Sequence, residues 1–274
     1  DMVAFRAGVA KYMGATITRY RFGLKPARPQ SVQLKLKSYL TAALPRVPDE
    51  VGYEDKLPID VGMFANDQYG DCVWAGAAHE TQLWRAIAGA WPATFNDAAV
   101  LASYSLATGF DPANAATDVG TDMDDAAKFR LTTGIVNAAG FHHHIAAYVD
   151  LDPGNLQELK TAVWLFGCAG IGLHVSDAQI EQFEASQPWD GPLTTGQGDH
   201  YVPVNAVRAN GLNSMTFGRS RQLVTPAFYG ANNDQGVAYI SAEALKNGLN
   251  VDGFNMDALR ADLAALTGNT VVGG

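Results

Sequence analysis

A polar turn, Asn66-Asp67-Gln68-Tyr69-Gly70-Asp71, runs without a break into Cys72-Val73-Trp74-Ala75-Gly76-Ala77-Ala78-His79-Glu80. The first six residues are turn formers, and the alanines that follow are strong helix formers. Cys72 therefore falls at the first turn of a helix, where unpaired backbone N–H groups and the positive end of the helix dipole favour a thiolate. A cysteine in that setting is a candidate nucleophile. The plain alternative is a small apolar residue opening a core helix.

The other cysteine, Cys168, is far away in sequence, so no disulfide framework or zinc pattern is visible and packing must hold the fold. With 274 residues, 47% of them hydrophobic, the chain has enough apolar surface for one large domain or two small ones. No apolar run reaches the roughly 18 residues of a membrane span. Charge is distributed unevenly. Residues 1–48 carry nine bases and one acid, whereas the remainder carries ten bases and 27 acids. A basic arm on an acidic body points to docking on that body, on a neighbouring subunit, or on nucleic acid, the plain alternative being a solvated, flexible leader. Nucleic acid ranks last, because aromatics do not interleave with the bases.

Within the arm, residues 3–13 are helix-like and Pro26-Ala27-Arg28-Pro29 breaks regular structure. Val32, Leu34 and Leu36 alternate with Gln33, Lys35 and Lys37, which predicts a strand. The extended Leu44-Pro45-Arg46-Val47-Pro48 ends the arm, leaving a domain over 49–250 and a terminal helix and tail over 251–274. Helices are expected over 72–90, 98–107, 122–131, 155–166, 178–183 and 256–266. Strands are expected over 145–148, 170–175, 200–207, 214–218, 223–229 and 237–241, with Asn210-Gly211 as a hairpin turn. Helices first and an antiparallel sheet second is α+β organisation.

The order of Cys72 at a helix start and His200 opening a distant strand resembles the papain-like cysteine peptidases. The resemblance rests on Leu44 to Asp49, Asn66 to Ala75, the segment 118–135, the helix and strand over 159–175, and Gly198-Asp199-His200-Tyr201-Val202. It covers roughly residues 44–245. The NDxxGDC-type block is also similar to papain-like proteins of bacteriophages and bacteria. The fold implied is α+β, with the nucleophile helix packed on a C-terminal antiparallel sheet. The resemblance assigns Cys72 as nucleophile and His200 as general base. Gln68 becomes the oxyanion-stabilising amide, although it sits nearer the cysteine than the family pattern, and Asn66 is its weaker substitute. Met215-Thr216-Phe217-Gly218 stands where the family has Asn-Ser-Trp-Gly, so a methionine replaces the residue that orients the imidazole. Asn205, Asn213 and Asp199 are the substitutes available.

Two functions follow. One is a thiol hydrolase acting on a peptide or protein substrate through a Cys–His dyad, with no cofactor. The other is a degenerate papain-fold structural or attachment protein of a bacteriophage particle, binding other subunits through residues 1–48. The compartment stays open between a virion and the bacterial cytoplasm. An enzyme should show an open groove between the Cys72 helix and the His200 sheet. A structural module should show that groove filled and the arm on another chain.

Other residues invite weaker readings. His142, His143 and His144 cannot all point at one ion from a regular backbone and read as an exposed polar turn. His79 reads as a surface or core-edge residue, and His174 as a satisfied core histidine. Asp122, Asp124 and Asp125 lack the rest of a calcium loop and suit a helix start. No metal site is assigned, and Cys168 reads as a packed thiol.

Overall fold

The computed structural model describes residues 20–28, 34–246 and 251–267. The expected helix over 3–13, the start of the arm's strand and the tail over 268–274 lie outside them.

Helix α1, Cys72–Ile87, is the central helix, and it is buried on nearly every side from Cys72 to Trp84. Helices α2 (Asp97–Thr108) and α3 (Met123–Thr132) complete the helical half. Both start on side-chain caps. Asn96 accepts from the N–H of Ala99, and Asp122 accepts from those of Asp124 and Asp125. The remaining helices are α4 (Leu156–Phe166), α5 (Asp177–Glu184), α6 (Pro226–Asn232), α7 (Ala242–Lys246) and α8 (Met256–Thr267).

The strands are β1 (Val51–Gly52), β2 (Asp60–Gly62), β3 (Ile135–Val136), β4 (His142–His143), β5 (Ile145–Asp150), β6 (Ala169–Val175), β7 (Gly198–Arg208), β8 (Gly211–Thr216), β9 (Gly218–Val224) and β10 (Asn233–Ser241). An antiparallel sheet runs β2-β9-β8-β7-β6-β10-β5, with β1 also paired to β7, while β3 and β4 form a separate hairpin. β7 lies at the centre, paired with β6 through Leu173↔His200 and with β8 through Val204↔Ser214. Its side chains are buried almost throughout, as expected for a strand covered on both faces.

Two expectations are corrected. The apolar run 223–229 is not a strand: β9 ends at Val224, and Thr225 caps a short helix whose first residue is Pro226. Proline suits that position because its missing N–H would be unpaired there anyway. In the arm, the described part of the alternating pattern, from residue 34 onward, holds one bridged residue, Lys35↔Asp150, and then a 3-10 turn at Leu36–Ser38. Leu34, Leu36 and Tyr39 are nonetheless buried in the common core, so residues 34–39 pack on the body.

Candidate active site

Two backbone features set the loop before α1. Phe64 and Ala65 both adopt left-handed conformations (φ 57° and 65°), a costly pairing for residues with side chains. The turn they make delivers Asn66 into the interior, 2% exposed. Asp71 closes the loop by accepting the N–H groups of Trp74 and Ala75 on its carbonyl. Its carboxyl does not cap the helix and is fully buried, which pushes it well above the ordinary carboxylate range.

Cys72 follows at the first position of α1, 1% exposed. Its Sγ receives the backbone N–H of Tyr201 at 3.5 Å and that of Gly23. Burial pushes its thiol up to about 12, against those two donors and the backbone N–H of Val73. The residue before Tyr201 is His200, also 1% exposed, and burial pushes its imidazole down to about 3. In this form the cysteine is a thiol and the histidine a neutral imidazole.

Thr216 Oγ1 lies 2.8 Å from His200 Nε2, while Nδ1 has no hydrogen-bond partner. The hairpin between β8 and β9 turns on Phe217 and Gly218, both left-handed (φ 45° and 78°), with Thr216 opposite Arg219. That turn lays the Phe217 ring flat on the imidazole, centroids 4.4 Å apart and planes 13° apart. Met215 is buried on the strand but is not the imidazole's partner; Thr216, one residue later, is. The other substitutes do not reach it. Asn205 donates to the carbonyl of Ser220, and Asp199 turns its carboxylate to His174.

Gln68 is exposed in the turn, whereas the side-chain amide of Asn66 is buried. Asn66 Nδ2 donates to the carbonyls of Arg21 (3.3 Å) and Tyr69 (3.2 Å).

The arm itself fills the groove. Arg21 N–H donates to Asn66 O, and Leu24 N–H donates to Asp199 O beside His200. Leu24 also bridges Thr121 in parallel: Thr121 N–H reaches Gly23 O at 2.7 Å, and Lys25 N–H reaches Thr121 O at 3.0 Å. Phe22 packs edge-on to His200, and Tyr20 packs on Phe183 and Phe217. Gly23 is required at the crossing, since a Cβ there would lie 1.8 Å from the carbonyl oxygen of Gly70. Ion pairs hold the flanks: Arg28 on Asp122 (3.0 Å) and Asp125, Lys35 and Lys37 on Asp152 (both 2.9 Å). Residues 20–25 thus lie across the region of Cys72 and His200, rather than leaving it open as expected of an enzyme.

Three histidines sit differently from expectation. His79 is buried inside α1, with Nε2 2.8 Å from Gly62 O, and burial lowers it to about 4. His143 is a buried strand residue bound to Glu243 and Asn137, not part of an exposed turn. His174 is half-exposed. Its donors and those of Asp199 and Asp234 lie within 4.8 Å of one another, the one such grouping among the described residues. Its Nδ1 faces Asp199 and its Nε2 faces Asp234, so the ring bridges two carboxylates rather than joining them around one point.

No family model and no curated protein matches the sequence. Solved structures do match in shape. Xylellain, a cysteine protease from Xylella fastidiosa, is 12% identical with a TM-score of 0.59, over 82% of this chain and 97% of that one. Procathepsin B S9 from Trypanosoma congolense is 10% identical with a TM-score of 0.53, over 87% and 97%. The ragweed cysteine protease Amb a 11, in its proform, is 13% identical with a TM-score of 0.53, over 77% and 71%. At these identities the likeness is one of architecture, and the chain has the papain-like α+β fold.

Proposed function

We propose that the chain is a papain-like thiol hydrolase of peptide or amide bonds, held latent by residues 20–28 of its own arm. The observation that carries this reading is the buried His200 held by Thr216 with its Nδ1 free of any hydrogen bond, while Cys72 Sγ takes the backbone N–H of the very next residue, Tyr201. Once the arm lifts and water enters, the desolvation that keeps both groups neutral is relieved. Cys72 then gives its proton to His200 Nδ1, and the thiolate attacks the substrate carbonyl carbon. The backbone N–H of Cys72 receives the oxyanion together with a side-chain amide, either Gln68 in the turn or Asn66, whose Nδ2 loses its Arg21 carbonyl partner when the arm lifts. The imidazolium protonates the leaving amine, and water releases the acyl group from sulfur. Thr216 accepts the Nε2 proton throughout and so fixes the tautomer. Two of the structurally similar proteins are proforms by name, which agrees with a latent chain.

A second reading keeps the fold without the chemistry, as in an attachment protein of a phage particle. What favours it is the depth of Cys72 and the completeness of the arm's seal. The two readings separate on one assay: hydrolysis of a mixed quenched-fluorescent peptide library by the full-length chain carrying Gly23→Val, which forces the arm off Gly70. Turnover that Cys72→Ala and His200→Ala each abolish supports the hydrolase. A Gly23→Val chain with a reactive thiol and no turnover on any peptide supports the structural protein.

A further inference from the structure

Cys72, Gly76 and Glu80 recur every four residues and so share one face of α1. The Tyr201 side chain lies along that face. Its backbone N–H meets Cys72 Sγ at one end, and its hydroxyl donates to Glu80 Oε1 at 2.6 Å at the other. Two glycines open the slot in which it lies. A Cβ on Gly76 would come within 2.5 Å of the Tyr201 ring, and one on Gly170 of β6 within 1.9 Å of its hydroxyl oxygen. Glu80 is fixed in turn by Arg130 of α3 at 2.6 Å, with both side chains 1% exposed. The guanidinium of Arg130 stacks on Tyr239, 4.1 Å from the ring centroid.

Resting on the hydrolase reading, we propose that Tyr201 and Glu80 are positioning residues that set the axial register of α1 against β7, and with it the placement of Cys72 relative to His200. Tyr201 follows His200 directly on β7, and Glu80 follows Cys72 by two turns on α1. A slip of α1 along its axis therefore breaks the Tyr201–Glu80 hydrogen bond and moves the thiol past the imidazole together. The bond is buried and made to an ionisable carboxyl already paired with Arg130, so it resists such a slip more than a surface contact does. The titratable and charged groups around this lock are Glu80, Arg130, Tyr239 and Cys168; Asp71 lies beside the thiol, and His200 directly precedes Tyr201 on β7.

The test is the pH profile of iodoacetamide labelling at Cys72, read by peptide mapping, in the full-length chain with Gly23→Val to displace the arm. Tyr201→Phe removes one oxygen and leaves the ring in its slot. It should lower the labelling rate near pH 6 about tenfold or more, with rates converging at alkaline pH, where the thiolate forms without its partner. Gly76→Ala, which pushes the ring while keeping the hydroxyl, should shift the profile in the same direction. Tyr239→Phe removes a buried hydroxyl that makes no hydrogen bond and should leave the profile in place. Profiles of Tyr201→Phe and Gly76→Ala that superimpose on the parent's, whatever happens to thermal stability, overturn the register role while leaving the hydrolase reading intact. A parent chain with no low-pH labelling sensitive to His200→Ala overturns both.

Discussion

His200 Nε2 and Thr216 Oγ1 lie 2.8 Å apart, so a threonine stands as partner to the imidazole and leaves Nδ1 unengaged. Phe217 covers this pair from one side and Trp189 lies 6.3 Å from the ring on another, so little competes with the bond. A hydrogen bond shielded in this way holds the ring's tautomer and its plane.

Thr216→Val keeps the shape and removes the acceptor. In the arm-displaced chain it should slow Cys72 alkylation near pH 6 about tenfold, equivalent to roughly 1.4 kcal/mol. Thr216→Ser should recover most of the loss. An unchanged profile would show that Thr216 packs beside His200 without orienting it.

Burial of His79 and His200 makes part of the stability pH-dependent. Both are lowered from 6.5, to about 4 and about 3 respectively. The unfolded chain takes up their protons below about 6.5, while the folded chain refuses them. Their contribution is therefore complete above that pH and is lost as pH falls toward 3. Asp71 and Asp150 act with the opposite sign, since burial raises them, Asp150 to about 6. The comparison with His79→Gln isolates one term: the stability gap between the two proteins, from urea unfolding, should shrink steadily between pH 7 and 4. A gap that stays constant with pH contradicts a buried neutral His79.

The arm's flanking ion pairs are partly or fully exposed, so each contributes little and all are screened by salt. Raising the ionic strength to several times about 0.1 M should increase native labelling of Cys72 in the wild-type chain severalfold. Combined replacement of Arg28, Lys35 and Lys37 by alanine should reproduce the increase at low salt. Labelling indifferent to both would mean that backbone pairing at Arg21 to Lys25 holds the arm unaided.

Much of the scaffold could be read from the chain because its signals are local. Cys72 after a six-residue turn, the capped starts near Asn96, Asp122 and Asn155, and the Asn210-Gly211 hairpin each declare themselves within a few residues. What escaped the sequence reading depends on distant partners. Thr216 was hidden because the motif comparison put Met215 in the orienter's place, though strand alternation sets the two on opposite faces. Asn66 is buried and Gln68 exposed because of a left-handed turn at Phe64 and Ala65, which no residue there advertises. The helix after Thr225 carried a readable signal in Thr225-Pro226, overridden by an apolar run that resembles a strand. That the basic arm would lie across the site was beyond reach, since charge alone leaves docking and a solvated leader both open and says nothing of where an arm would dock.

The most direct measurement compares Cys72 alkylation at about pH 6 in the wild-type chain, in Gly23→Val and in Gly23→Val with His200→Ala, using the buried Cys168 as internal reference. A latent thiol–imidazole pair predicts a protected Cys72 in the wild type, rapid labelling once the arm is displaced, and loss of that labelling without His200. A Cys72 that remains as inert as Cys168 after displacement of the arm, or that reacts equally well without His200, would contradict it.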